Sequence, residues 1–386
     1  MNQRTLRALR SGFDPGRRAF FKVPVSAAAG GILCAVGRHT TKAALAGAPD
    51  KVPHSRRRVI EEYDEANTKV GHGVPASIDV GDILFLQQIG LRSVVVTFNP
   101  AESTLEAMRR VQGRFAQYGI RVFGGIHYAY RSLKIQLGQP GRDEDIKKYQ
   151  DFLRNLGKLG IGVAPYDFHP ANTYTTNLLR RRGYTSREFS LEDFRSKADK
   201  QRFDREYTAD EMWEYYTYFV KAVLPVAEEA NVTLALHPDD PPLAKMNGVA
   251  KLFTHYDGYR RAEEIAHASR HWGLTFCVGT WSEGGDRMGK NVLEMIRDFG
   301  GRNRIHLVHF RNVSSPLPRF QETFPDDGYL DMYQVMRALR KVGFRGCAVP
   351  DHIPQLGTDK GLRHSGLAYC IAYMRALLRR ANEELG

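Results

Sequence analysis

Cysteine is scarce in this chain: four in 386 residues, at positions 34, 277, 347 and 370. Cysteines so few and so far apart make no disulfide framework, so the fold must rest on an apolar core. Long apolar runs are missing too. Nothing approaches the roughly 20 residues that a permanent membrane helix needs. No repeat at a solenoid period and no low-complexity tract occurs, which excludes repeat arrays. Lysine and arginine outnumber aspartate and glutamate, 56 to 43, but no basic stripe with interleaved aromatics is present. That excess suits anionic small molecules and argues against nucleic acid as a partner.

The charge is unevenly spread. Residues 1–46 hold eight basic residues and a single acid, Asp14. Within them "GRRAFFK" (Gly16–Lys22) precedes the modest apolar stretch "VPVSAAAGGILCAVG" (Val23–Gly37), and "ALAGA" (Ala44–Ala48) follows. A charged region, an apolar region and small residues in that order describe an export signal, and the arginine pair resembles the twin-arginine type. The expectation is a signal peptide over 1–46 and a linker over 47–68. The twin-arginine export machinery would be a partner, the destination periplasmic, with no membrane span left after processing. A basic tail or an uncleaved anchor is the alternative. Removal of the signal would also remove Cys34 and leave three cysteines, at least one of them free or bound to something other than cysteine.

From residue 69 onward, short apolar runs alternate with amphipathic segments. The runs are Lys69–Val74, Ser93–Phe98, Arg121–His127, Gly162–Phe168, Val232–His237, Leu274–Val278, Ile305–Phe310 and Gly346–Asp351. The segments between them predict helices over Val80–Ile89, Leu105–Tyr118, Asp143–Leu159, Ala209–Ala230, Tyr259–His271, Val292–Phe299 and Met332–Val342, with a last one over Leu367–Leu378. Such alternation means a parallel sheet. Eight units predict an α/β fold, a (β/α)₈ TIM barrel over 69–386, although a doubly wound open sheet reads similarly. The polar stretch around 173–206 is too long for an ordinary loop, and insertions of this kind are functional lids or lack structure of their own.

A barrel carries its active site at the C-terminal ends of its strands. Strands five to eight end in His237, Cys277, His309 and Asp351. One such histidine is more often structural. Four successive strands ending in metal-ligating groups point to a centre for Mn²⁺, Fe²⁺, Co²⁺ or Zn²⁺, and a thiolate ligand disfavours Mg²⁺. In "NVTLALHPDDPP" (Asn231–Pro242), Asp239 and Asp240 then become supporting or substrate-binding groups. Arg311 is placed to clamp a substrate carboxylate, or equally to make a rim ion pair.

Several stretches carry a resemblance. "LALHPDDPP", "HFRN" (His309–Asn312), "GYLDMYQVM" (Gly328–Met336), "VPDH" (Val349–His352) and the segment Gln139–Phe168 are similar to the mannonate dehydratase family, over roughly 121–378. The resemblance implies a xylose isomerase-like barrel and a divalent metal, Mn²⁺ or Fe²⁺ first, on His237, Cys277, His309 and Asp351. It implies a catalytic His352, and His364 where the family has a catalytic tyrosine. It also implies a hydro-lyase reaction of glucuronate catabolism, taking D-mannonate to 2-dehydro-3-deoxy-D-gluconate and water. The chain departs from the family at Val278–Asp286, at Gln321 where a histidine is typical, and at the additional His169.

The expected activity is therefore a metal-dependent sugar-acid dehydratase whose partner is a small sugar acid. A sugar isomerase, epimerase or lyase acting on a keto-sugar or glycoside is the second reading. A sugar-acid-binding protein without turnover is the third. A homo-oligomer is compatible with all three.

Overall fold

Runs of β-branched and other apolar residues become the staves of a parallel barrel. The computed structural model describes residues 60–170, 174–357 and 359–386. The segment read as an export signal lies outside the described residues. Strand two (Ser93–Thr97) reads Ser-Val-Val-Val-Thr, and strand six (Trp272–Cys277) is buried along its whole length. Continuous burial is what a strand needs when side chains fill the barrel inside and helices cover it outside.

The strands pair in chain order, all parallel. Strand two is followed by three (Arg121–Ile126), four (Val163–Tyr166), five (Thr233–Leu236), six, seven (Ile305–His309) and eight (Cys347–Val349). Strand one is split at Gly71. Lys69–Val70 pairs with strand eight, and His72–Pro75 pairs with strand two. The Gly71 N–H carries the ladder on to the Ala348 carbonyl at 2.9 Å. A side chain at Gly71 would overlap Cys347 Sγ and the Ser93 carbonyl. Glycine there lets the two edges meet, so the sheet closes and the open alternative falls away.

Each helix follows its strand, though the one expected over Tyr259–His271 runs Tyr256–Ile265 and the one expected over Val292–Phe299 is α-helical only over Val292–Met295. The helix Leu105–Ala116 starts where the Thr104 hydroxyl accepts from the Ala107 N–H, and it buries Ala107, Met108, Val111 and Phe115 on one face. The last helix is longer than the apolar periodicity indicated, running His364–Leu385. Among the described residues no helix is long and apolar enough to cross a membrane.

Two expectations need correction. Within the segment read as a linker, Asn67 and Thr68 are fully buried, and the Thr68 hydroxyl donates to the Phe344 carbonyl. The packed part of the chain therefore starts ahead of residue 69. The insertion is neither a free lid nor unstructured. Asn177–Arg181 and Tyr184–Ser190 form a hairpin, and its second strand pairs antiparallel with Arg319–Thr323 from the loop after strand seven. Asn312–Val313 completes this four-stranded sheet. Leu191–Lys197 follows as a short helix, with the Ser190 hydroxyl accepting from the Asp193 N–H.

Candidate metal centre and active site

The ends of strands five to eight meet at one mouth of the barrel. Cys277 and His309 are direct register partners on strands six and seven. His237, Cys277 and His309 each offer a donor atom, all within 4.8 Å of one another. His237 Nε2 faces His309 Nδ1 at 3.2 Å. Asp351 brings its Oδ2 to 3.6 Å from His309 Nδ1 and 4.0 Å from Cys277 Sγ. Donors sharing one ion at roughly 2.0–2.3 Å must lie roughly 3–4 Å apart. The His237–His309, His309–Asp351 and Cys277–Asp351 spacings fall in that range, and the His237–Cys277–His309 set spans at most 4.8 Å.

The surroundings fit a divalent cation as well. His237 Nδ1–H donates to the Pro238 carbonyl at 2.7 Å, which leaves the Nε2 lone pair facing the cluster. Burial pushes the Cys277 thiol up, but Arg311, His237 and His309 pull it well below its ordinary range, which favours the thiolate. The Asp351 carboxyl is also held well below its usual range: burial raises it, and His352, His309 and Arg311 overcome that. Together with Asp240 and Glu322, these anions outnumber the one permanent cation among them, Arg311. A divalent ion would offset most of that excess.

Arg311 does not clamp a substrate. It is 1 % exposed and spends its guanidinium on protein groups. Nη2 donates to Asp240 Oδ2 at 2.7 Å and to Thr280 Oγ1 at 3.0 Å, and Nη1 donates to Glu322 Oε1 at 2.7 Å. Nη1 also lies 2.9 Å from Glu283, and Nε 3.2 Å from Asp351 Oδ2. A side chain at Gly279, in the helix Val278–Gly284, would overlap this guanidinium. Asp240, expected to contact substrate, is likewise committed, to Arg311 and to the Thr280 hydroxyl at 3.1 Å. Asp239 lines the cavity, but its Oδ2 accepts from the Leu252 and Phe253 N–H groups at 3.0 and 2.8 Å. Burial lifts it to about 6 against the pull of Lys251 and those N–H groups.

His352 follows Asp351 with a left-handed backbone, φ +46°, a conformation disfavoured for a non-glycine residue. Its Nδ1 lies 2.6 Å from Glu322 Oε1. Arg311 Nη1 is also 3.0 Å from that nitrogen. The carboxylate can only accept and is the closer, so Nδ1–H donates to Glu322, and Nε2 is left for proton exchange. Burial draws the His352 pKa down, while Asp351 and Glu322 raise it further against Arg311, to about 9. His364 is not brought to this site. It opens the last helix, stacks on Phe85 at 3.9 Å and bonds Asp82 Oδ1 through Nε2 at 2.6 Å.

In front of the cluster lies a cavity of about 390 Å³ that His237, His309, Asp351 and His352 line, at the small end of ligand-site volumes. Arg131 and Asp167 form part of its wall, with Arg131 Nε 3.0 and 3.2 Å from the two carboxylate oxygens. Sequence reasoning passed over Asp167, though the strand-end rule used for strands five to eight also flags it, just beyond strand four. It passed over Glu322 and Glu283 for a different reason: no local pattern marks a carboxylate that folding buries beside an arginine distant in sequence.

Comparison with known proteins gives the chain a family. The D-mannonate dehydratase (UxuA) family model matches residues 190–384. Mannonate dehydratase 2 of Halalkalibacterium halodurans is 31 % identical over 270 residues, 63 % of this chain and 75 % of that protein. The mannonate dehydratase of Streptococcus pneumoniae is 34 % identical over 253 residues, 58 % and 68 % of the two chains. The crystal structure of mannonate dehydratase from Streptococcus suis serotype 2 superposes with a TM-score of 0.73 at 26 % identity, covering 83 % of this chain and 96 % of that one. A D-psicose 3-epimerase of Clostridium cellulolyticum H10 shares the fold alone, with a TM-score of 0.55 at 14 % identity. A closed parallel barrel, a His–Cys–His cluster at its mouth and relatives matched over most of their length lead to one assignment: the chain belongs to the mannonate dehydratase family.

Proposed function

We propose that this protein is a metal-dependent dehydratase of a sugar acid, with D-mannonate the first substrate to try. The observation that carries the reading is the convergence of His237, Cys277, His309 and Asp351 beside a histidine that a buried carboxylate orients. A divalent ion on those four, Mn²⁺ or Fe²⁺ in view of the thiolate, would stabilise negative charge developing on the substrate carboxylate and its neighbouring oxygen. The reaction removes a weakly acidic proton from carbon 2 and a hydroxyl from carbon 3, so protons must move in both directions. His352 moves one of them at Nε2. Glu322 holds the ring through Nδ1–H, and the Arg311 cluster fixes Glu322 in turn.

The test is a substrate panel. Protein of measured metal content, offered hexonates and neutral keto-sugars, should convert a hexonate to a 2-keto-3-deoxy acid and stop when the metal is chelated. Consumption of keto-sugars alone would replace the dehydratase with an epimerase or isomerase. Tight hexonate binding without product would leave a binding protein.

We also propose export to the periplasm through the arginine pair of "GRRAFFK". Arg17→Lys with Arg18→Lys should hold the precursor in the cytoplasm, because the receptor reads the pair itself. Unchanged delivery in cell fractions would sink that reading.

A further inference from the structure

Beside the metal ion, an anionic substrate calls for a side-chain cation, and the residue first expected to provide one is buried and fully engaged. Two arginines line the cavity, Arg131 and Arg187. Arg131 is spent on Asp167. Arg187 forms no ion pair or hydrogen bond with any described residue. It is the one exposed residue of its strand, Tyr184–Ser190. An ordinary exposed arginine sits on open surface, whereas this one shares a cavity with His237 and His309. Its backbone is held on both sides: Arg187 pairs with Leu178 across the hairpin, and its neighbour Glu188 pairs with Gln321. The adjacent residues turn the other way and are tied down, Ser186 Oγ donating to the Glu322 carbonyl at 2.5 Å and Glu188 accepting from Arg319 Nε at 2.7 Å.

We infer that Arg187 is a specificity-determining residue, binding the carboxylate end of the substrate and selecting sugar acids over neutral sugars. This rests on the sugar-acid reading above. The chemistry is the planar fork of a guanidinium against two carboxylate oxygens, which the single point charge of an ammonium does not reproduce. The remaining charged groups lining the cavity are Asp167, Asp239, Asp240 and Asp351. Arg131 and Arg311 already engage Asp167, Asp240 and Asp351, which leaves Arg187 as the lining guanidinium that no described carboxylate engages.

The experiment uses the metal-loaded full chain and its Arg187→Gln and Arg187→Lys variants. An exposed position tolerates both changes, and equal melting temperatures confirm it. With a hexonate that the wild type turns over, Arg187→Gln should raise KM about 10- to 100-fold, the worth of a hydrogen bond to a charged group, and change kcat far less. Arg187→Lys should fall between. An unchanged KM in Arg187→Gln overturns the inference and leaves the dehydratase standing. If the wild type turns over no hexonate, calorimetric titration with D-mannonate decides instead. Binding lost in Arg187→Gln keeps the inference and discards the dehydratase, while no binding to the wild type, or equal binding to both, discards the inference.

Discussion

Replacing His352 by alanine should lower turnover by at least ~10²-fold, the scale of a lost general acid or base, while the bound metal stays at its wild-type level. His352 is none of the four residues assigned to the ion, so its loss removes a proton carrier and no ligand. Its left-handed backbone complicates alanine, which tolerates that region poorly. His352→Asn is the better companion because asparagine visits the region at lower cost. Both variants should behave alike in rate and in metal content by elemental analysis. Near-normal turnover in either would place the proton transfer elsewhere and take the mechanism with it.

The second large effect is on stability. Arg311→Met should cost ~3–5 kcal/mol of folding free energy, the usual result of removing one partner from a buried ionic cluster. Methionine fills much of the space. It leaves Asp240 and Glu322 buried without the guanidinium that pairs with them. Arg311→Lys should lose less, since it keeps the charge and forfeits only the fork. Chemical denaturation of the metal-loaded proteins measures both. A loss below ~1 kcal/mol for Arg311→Met would mean that the cluster relaxes by taking up protons or water.

The barrel and its ligand-bearing end were legible because both follow local rules. A parallel strand covered on both faces reads as an unbroken apolar run, and the last residue of such a run sits at the catalytic mouth. Strand two with its three valines and strand six, buried throughout, show this plainly. The ends of strands five to eight could be read off one after another. What could not be read was which charged groups meet. Arg311 stands two residues past His309 and looks like a rim residue. Its burial depends on Asp240, Glu283, Glu322 and Asp351 arriving from four different segments. Glu322 lies 30 residues from His352 in a strand whose partner is the insertion, and nothing in "RFQETF" announces that pairing. His364 was misplaced because similarity in sequence located a position along the chain, whereas the packing of Phe85 and the charge of Asp82 decided where its ring went.

The hairpin Asn177–Arg181 with Tyr184–Ser190 has a consequence for how this protein can change over generations. Thr185 exchanges both backbone hydrogen bonds with Gln355, three residues beyond His352. Ser186 bonds the backbone of Glu322, and Arg187 lines the cavity. Three neighbouring codons thus each touch a different part of the site. The hairpin is no interchangeable cassette for retuning substrate choice. A graft that altered residue 187 while shifting its neighbours by one position would turn every side chain of the strand to the opposite face, disturbing recognition and proton handling in the same step. Variation in this segment is therefore expected to be inherited in blocks, with the residues around 322 and 355 changing in concert with it.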